Sequence, residues 1–280
     1  MSVFVPAHEI VIADDALPSR TVYVLHGIYG SGRNWIGFAR AFVSAHPDWR
    51  VVLVHLRGHA GSRDAPPPHT MHACAVDLAR LADQIGPPEV VWGHSFGGKV
   101  ALTWARDARP LSLREVWSLD SPPGAGPSGG GDPVSSEVGR VLTYIDELPD
   151  IIGRRSDAQR HLIDRGLSRA VAGWMATNLV ARDGGFAWHF NAETLRTLLV
   201  DYWREDLWPI ADAPPPGTSI HLVRAERSDR WTDDDLQRLE TLAEKKRTQV
   251  HVVPDAGHWL HVDAPEALLS LLSPGTGTAV

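Results

Sequence analysis

Apolar residues along the chain concentrate in six short runs rich in β-branched side chains. They are TVYVLHG (21–27), RVVLVHL (50–56), EVVWGHS (89–95), EVWSLD (115–120), SIHLVRAE (219–226) and QVHVVPD (249–255). The runs are continuous rather than alternating, as expected of strands covered on both faces. Helical spacing appears between them, over residues 72–85, 96–108, 232–246 and 264–272. Strands alternating with helices predict an α/β class with a mostly parallel central sheet flanked by helices. A stretch around residues 9–13 predicts an added antiparallel edge strand. The third of these helices carries its own punctuation. Thr232 is its expected N-cap, Asp233, Asp234 and Asp235 fill its first turn, and Lys245, Lys246 and Arg247 close it. Acids at the start and bases at the end complement the helix dipole, so these charge runs read as a solvated helix and not as a binding patch.

The alternation stops between residues 121 and 216. This segment opens on PPGAGPSGGGDP (122–133) and closes on Pro214, Pro215 and Pro216, and its helical stretches hold Trp174, Trp188, Trp203 and Trp208. The expected organisation is a core of residues 1–120 and 217–280 with a helical lid of residues 121–216 inserted over the strand ends, where parallel sheets bind ligands. A purely structural subdomain is the alternative.

Composition narrows the function. The chain has 280 residues, 43% hydrophobic and 22% charged, as ordinary globular proteins do. A single cysteine, Cys74, excludes a disulfide framework within the chain and a Cys-rich metal site. The net charge of −7 gives no basic footprint for nucleic acid. No stretch approaches the roughly 18 apolar residues of a membrane span, and the N-terminus lacks a signal-peptide pattern. A cytoplasmic location is the expectation, and oligomeric state is not legible.

The chemistry begins at Gly93-His94-Ser95-Phe96-Gly97-Gly98, which fits G-x-S-x-G between an apolar run and a helical stretch. A serine on so tight a turn is lifted clear of the sheet, and small residues two before and two after let strand and helix approach. A nucleophilic serine needs a base. His258, in AGHWLH after the last strand, is the candidate, with His261 as its rival. A carboxylate must orient the imidazole. Asp229 in RAERSDRW and Asp120 in VWSLDSPP both follow strands and both give the order Ser, Asp, His; Asp229 is preferred, and the choice stays open. In VLHGIYGSGRNW the backbone N–H of Ile28 is expected to form an oxyanion hole with that of Phe96. Ile28 and Tyr29 would wall the acyl pocket, with Trp188 and Trp259 as further substrate contacts. No chemistry is assigned to His55, Arg57 or His59 in HLRGHAGSRD.

Together these residues resemble the α/β-hydrolase superfamily over residues 21–272. Within it, HGIYGSGRNW, GHSFGGK, NLVARDGGFAWHFN and AGHWLHVDAPE are similar to the small bacterial and mitochondrial esterases acting on acyl esters and acyl-CoA thioesters. The resemblance implies an α/β-hydrolase fold with its lid after the sixth strand, and no cofactor or metal. In those esterases the acid follows the strand before the lid, here Asp120, whereas RGERSD-like segments elsewhere in the superfamily carry it at the position of Asp229. His55 stands where an aspartate is common.

The first expectation is therefore a serine hydrolase acting on a small-molecule carboxylic ester or thioester through an acyl-enzyme on Ser95. The alternative within enzymes is cofactor-free C–C bond hydrolysis, lyase or perhydrolase chemistry on the same triad, because the fold alone does not separate these. A non-catalytic ligand-binding protein ranks last. Phe186 and Phe190 suggest either an apolar acyl group or a lid core. Arg154, Arg155 and Arg160 read as solvated surface before they read as anion-steering groups.

Overall fold

In the computed structural model, which describes residues 3–126, 136–245 and 248–274, the six sequence-predicted runs form strands β2 (Arg20–Leu25), β3 (Trp49–Val54), β4 (Val90–His94), β5 (Glu115–Leu119), β8 (Ser219–Ala225) and β9 (Gln249–Val253). With the edge strand β1 (His8–Val11) they make a seven-stranded sheet in the order β1-β3-β2-β4-β5-β8-β9. All pairings are parallel except β1 with β3, where Ile10 lies opposite Val52. Crossover helices cover both faces, as parallel strands require.

The continuous apolar runs have a direct cause. Along β2, Tyr23 and Leu25 face one layer, packed with α2 (Met71–Ile85), α3 (Phe96–Asp107) and α9 (Asp233–Lys245). Val22 and Val24 face the other, packed with α1 (Ile36–Ala45) and α11 (Pro265–Leu272). Successive side chains alternate between two dry layers, so no polar alternation survives. Helix α1 was not expected from the sequence; Phe38, Ala39, Phe42 and Val43 supply its buried face. Helix α9 begins as predicted. Thr232 Oγ1 accepts from Asp235 N at 3.1 Å, and Asp235 Oδ2 accepts from Thr232 N at 3.0 Å, a reciprocal capping box. The expected closing residues Lys246 and Arg247 lie outside the described residues.

Between β5 and β8 the chain forms α4 (Glu137–Asp146), α5 (Arg155–Asp164), α6 (Arg169–Thr177), α7 (Ala192–Arg204) and α8 (Trp208–Asp212). A hairpin of β6 (Leu179–Arg182) and β7 (Gly185–Trp188) interrupts them. Two details correct the expectation. The segment follows the fifth strand of this chain, not the sixth, because only one strand extends the edge before β2. It is also not wholly helical. Its own apolar core contains Leu142, Ile145, Leu162, Met175, Leu179, Leu195 and Leu199. Part of the Gly/Pro-rich opening, residues 127–135, lies outside the described residues.

Candidate active site

Ser95 sits between the end of β4 and the first residue of α3 with φ +52 and ψ −117, a left-handed conformation that non-glycine residues rarely adopt. The flanking glycines explain how the turn closes. A Cβ at Gly93 would stand 2.2 Å from the carbonyl oxygen of Gly97, and one at Gly97 would stand 2.4 Å from that of Leu25. Neither position has room for any side chain, so strand, turn and helix approach only with glycine on both sides. The Ser95 N–H is held by the carbonyl of Leu119 at 2.9 Å.

His258 follows β9, on the loop before α10 (Leu260–Asp263). Its Nδ1 donates to Oδ2 of Asp120 at 2.7 Å. Asp120 lies just past β5 with its carboxylate fully buried. Three more donors reach it: Ser228 Oγ to Oδ2 at 2.6 Å, Trp231 Nε1 to Oδ1 at 2.8 Å, and Ala225 N to Oδ1 at 3.1 Å. Burial alone would raise the Asp120 pKa. Its hydrogen bonds with His258, Ser228 and Trp231, together with the charge at His258, outweigh burial and hold it below the ordinary carboxylate value.

The preference for Asp229 is corrected here. Its side chain is 83% exposed at the cavity rim and pairs with Arg230 at 3.4 Å, not with His258. The segment RAERSDRW contributes Ser228 and Trp231, two of the donors that cradle Asp120, rather than the acid. No sequence signal marked either residue.

His258 is held from behind as well. His94 Nε2 donates to its carbonyl oxygen at 2.8 Å, and the two rings lie 4.7 Å apart. The rival His261 stacks on Trp35 at 4.2 Å. Burial, then the neighbouring His258, pushes His261 down to about 4, and it hydrogen-bonds to no carboxylate among the described residues.

Ser95, His258, Asp120, Ile28 and Phe96 all line one cavity of about 1580 Å³ at the carboxyl ends of the strands. Neither the Ile28 nor the Phe96 backbone N–H has a hydrogen-bond acceptor among the described residues. Phe96 is the first residue of α3, where an N–H has no intrahelical acceptor. Ser95 Oγ makes no hydrogen bond to His258 among the described residues; such contacts commonly tighten only with substrate bound.

Tyr29 and Trp259 line the cavity, Trp259 against Trp174 at 5.5 Å. Trp188 does not. It is buried in the core of the inserted segment, stacked on Phe190 at 5.4 Å, because the end of β7 turns it inward. Residues not singled out as substrate contacts form much of the apolar wall instead: Val141, Trp174, Met175, Leu199 and Trp203. The tryptophan density of the segment was the only signal for them. Arg154, Arg155 and Arg160 are not among the cavity's lining residues; Arg155 donates to the carbonyl of Ala176 at 3.0 Å.

Comparison with known proteins agrees with this architecture. The model of the alpha/beta hydrolase family matches residues 22–271. The chain belongs to the alpha/beta hydrolase family. Among curated relatives, the mouse (Mus musculus) sn-1-specific diacylglycerol lipase ABHD11 is 30% identical over 278 residues, covering 95% of this chain and 83% of that protein. The esterase YbfF of Escherichia coli (strain K12) is 27% identical over 269 residues, covering 89% of each. Among solved structures, a marine microorganism esterase superposes with a TM-score of 0.75 at 20% identity, covering 96% of this chain and 98% of that one. With its family and relatives so placed, this member is a hydrolase of the esterase type. No helix among the described residues is long and apolar enough to cross a membrane.

Proposed function

We propose that the protein hydrolyses carboxylic esters, and thioesters by the same route, through an acyl-enzyme on Ser95. The observation that carries this reading is the His258–Asp120 pair, 2.7 Å apart, sharing a largely apolar cavity with a serine raised on a left-handed turn. Asp120 fixes His258 with its proton on Nδ1, which leaves Nε2 free to take a proton. As Ser95 Oγ attacks the acyl carbonyl, His258 removes the hydroxyl proton. The developing oxyanion is met by the N–H groups of Ile28 and Phe96. His258 then gives its proton to the leaving alcohol or thiol, the acyl group stays on Ser95, and the same imidazole activates the water that releases it.

The apolar wall from Val141 to Trp203 supports an apolar acyl group as the substrate moiety. The inserted segment supplies that wall and acts as the lid over the site. The test is hydrolysis of p-nitrophenyl esters from acetate to palmitate, with Ser95→Ala alongside. Turnover that vanishes in Ser95→Ala supports the reading, and turnover that persists in it overturns the serine route.

A further inference from the structure

The loop after β3 carries three histidine or arginine side chains to which the sequence assigned no chemistry, and all of them are buried. His59 is one of these, and its surroundings define each ring nitrogen. Nδ1 donates to the carbonyl oxygen of Arg57 at 2.9 Å, which leaves Nε2 as an acceptor, and Nε2 accepts from the backbone N–H of Tyr29 at 3.2 Å. Burial pushes the His59 pKa down to about 3, which favours the neutral ring that one donating and one accepting nitrogen require. Arg57, which supplies the carbonyl, is itself anchored by two hydrogen bonds to the buried Asp77, at 2.8 and 2.9 Å.

Tyr29 belongs to the turn that presents the Ile28 amide. The N–H of Gly30 closes that turn on the carbonyl of Gly27 at 3.1 Å. Its third residue is Tyr29, at φ +64. A left-handed third residue is the pattern of a type II turn, which favours glycine or asparagine there. A tyrosine keeps such a conformation only where its surroundings over-determine it. His59 Nε2 is a buried acceptor aimed at the N–H that this conformation turns towards the loop. His26 reaches the first peptide of the same turn: its Nδ1 donates to Gly27 O at 2.8 Å and its Nε2 accepts from Leu56 N at 3.0 Å. The rings of His26 and His59 meet edge to face at 4.8 Å.

We propose that His59 is a positioning residue for the oxyanion turn: by accepting the Tyr29 N–H at Nε2 it holds the turn in the left-handed form that aims the Ile28 N–H at the reacting carbonyl. The inference rests on the ester-hydrolysis reading above. His59 touches no substrate, so its effect falls on kcat and not on ground-state binding. Without the acceptor, the Ile28–Tyr29 peptide is free to turn over towards the right-handed form preferred by tyrosine, and the turn loses the rigidity that holds the adjoining Gly27–Ile28 peptide, and with it the Ile28 N–H, on its line to the oxyanion.

The test compares His59→Leu, His59→Gln and His59→Asn on the best p-nitrophenyl ester of the wild-type protein. Gln reaches far enough to place its side-chain oxygen where Nε2 stands; Asn reaches only to the position of Nδ1. Complete removal of an oxyanion donor costs about a hundred- to a thousandfold in kcat, and a misaimed donor keeps part of that. The expected result is a fall of about ten- to a hundredfold in kcat for His59→Leu and His59→Asn, with KM within about threefold, and recovery of most of the loss in His59→Gln. If His59→Leu does not fold, the contrast between Gln and Asn carries the test. Wild-type kcat in folded His59→Leu, equal kcat in Gln and Asn, or a loss carried by KM would each overturn the proposal. Failure of the parent reading is distinct, because it shows as a wild-type protein inactive on every ester.

Discussion

Replacing Asp120 by asparagine changes one atom and tests the site's logic directly. Every group around the carboxylate offers a proton: His258 Nδ1, Ser228 Oγ, Trp231 Nε1 and the N–H of Ala225. An asparagine has one oxygen and one amide NH2 for the same positions. The indole and the backbone amide are donors only, so they retain the oxygen. The NH2 group then faces Ser228 and His258. Ser228 adapts by rotating its hydroxyl. His258 adapts only by moving its proton to Nε2 and offering Nδ1 as an acceptor. That tautomer has no lone pair for the proton of Ser95. The expected loss in kcat is about ten-thousandfold, the size of this defect where a triad carboxylate becomes an amide, or about 5.5 kcal/mol of transition-state stabilisation. KM is expected to stay within about threefold, because asparagine has the shape of the aspartate it replaces and the apolar wall of the cavity is unchanged. Asp229→Asn, at an 83% exposed side chain, is expected to leave kcat within about twofold. Steady-state kinetics on a p-nitrophenyl ester reads both. An Asp120→Asn protein with near wild-type kcat, or an Asp229→Asn protein that loses activity, refutes the assignment.

Four further outcomes follow from the geometry. His258→Ala is expected to lose at least about a thousandfold in kcat while His261→Ala stays within about tenfold, measured on the same ester, because only His258 is oriented by a carboxylate. Gly97→Ala places a methyl group 2.4 Å from the carbonyl oxygen of Leu25 and should lower stability by about 1–3 kcal/mol in a denaturant titration, with loss of turnover as the elbow opens. Lys99→Met removes the ammonium that donates to the carbonyls of Gly124, Tyr202 and Glu205 at 2.6, 3.0 and 3.0 Å. Because those carbonyls lie at the two ends of the inserted segment, about 2–4 kcal/mol of stability should be lost, seen as a lower denaturation midpoint. The stabilisation from the lowered pKa of Asp120 is complete above the unfolded aspartate value near pH 4 and fades as pH falls through the folded value, so the acid-unfolding curve of Asp120→Asn should lack that component.

The strands, the parallel sheet and the tight turn at Ser95 were legible in the sequence because their causes lie mostly within each element. Two dry layers demand continuous apolar runs, the tight turn at Ser95 leaves no room for a side chain at Gly93 against the carbonyl of Gly97, and the close pass of the new helix over the end of β2 leaves none at Gly97. The same holds for the cap of α9, whose partners lie three residues apart. The carboxylate partner was not legible. Asp120 and Asp229 both follow strands, and chain order admits either. The choice depends on how the loop after β8 folds across the end of β5, which sends Ser228 and Trp231 inward to Asp120 and leaves Asp229 in solvent. The inserted segment shows the same limit: composition announced its tryptophans, but only the folded segment brings Trp174 to the cavity from α6 and sends Trp188, at the end of β7, into its own core. The histidines behind the oxyanion turn make the point again, because His59 and Tyr29 lie thirty residues apart and meet only when β2 and β3 pair side by side. Sequence determines what each residue can do within its own element, and the packing of one loop on another decides which partners it meets.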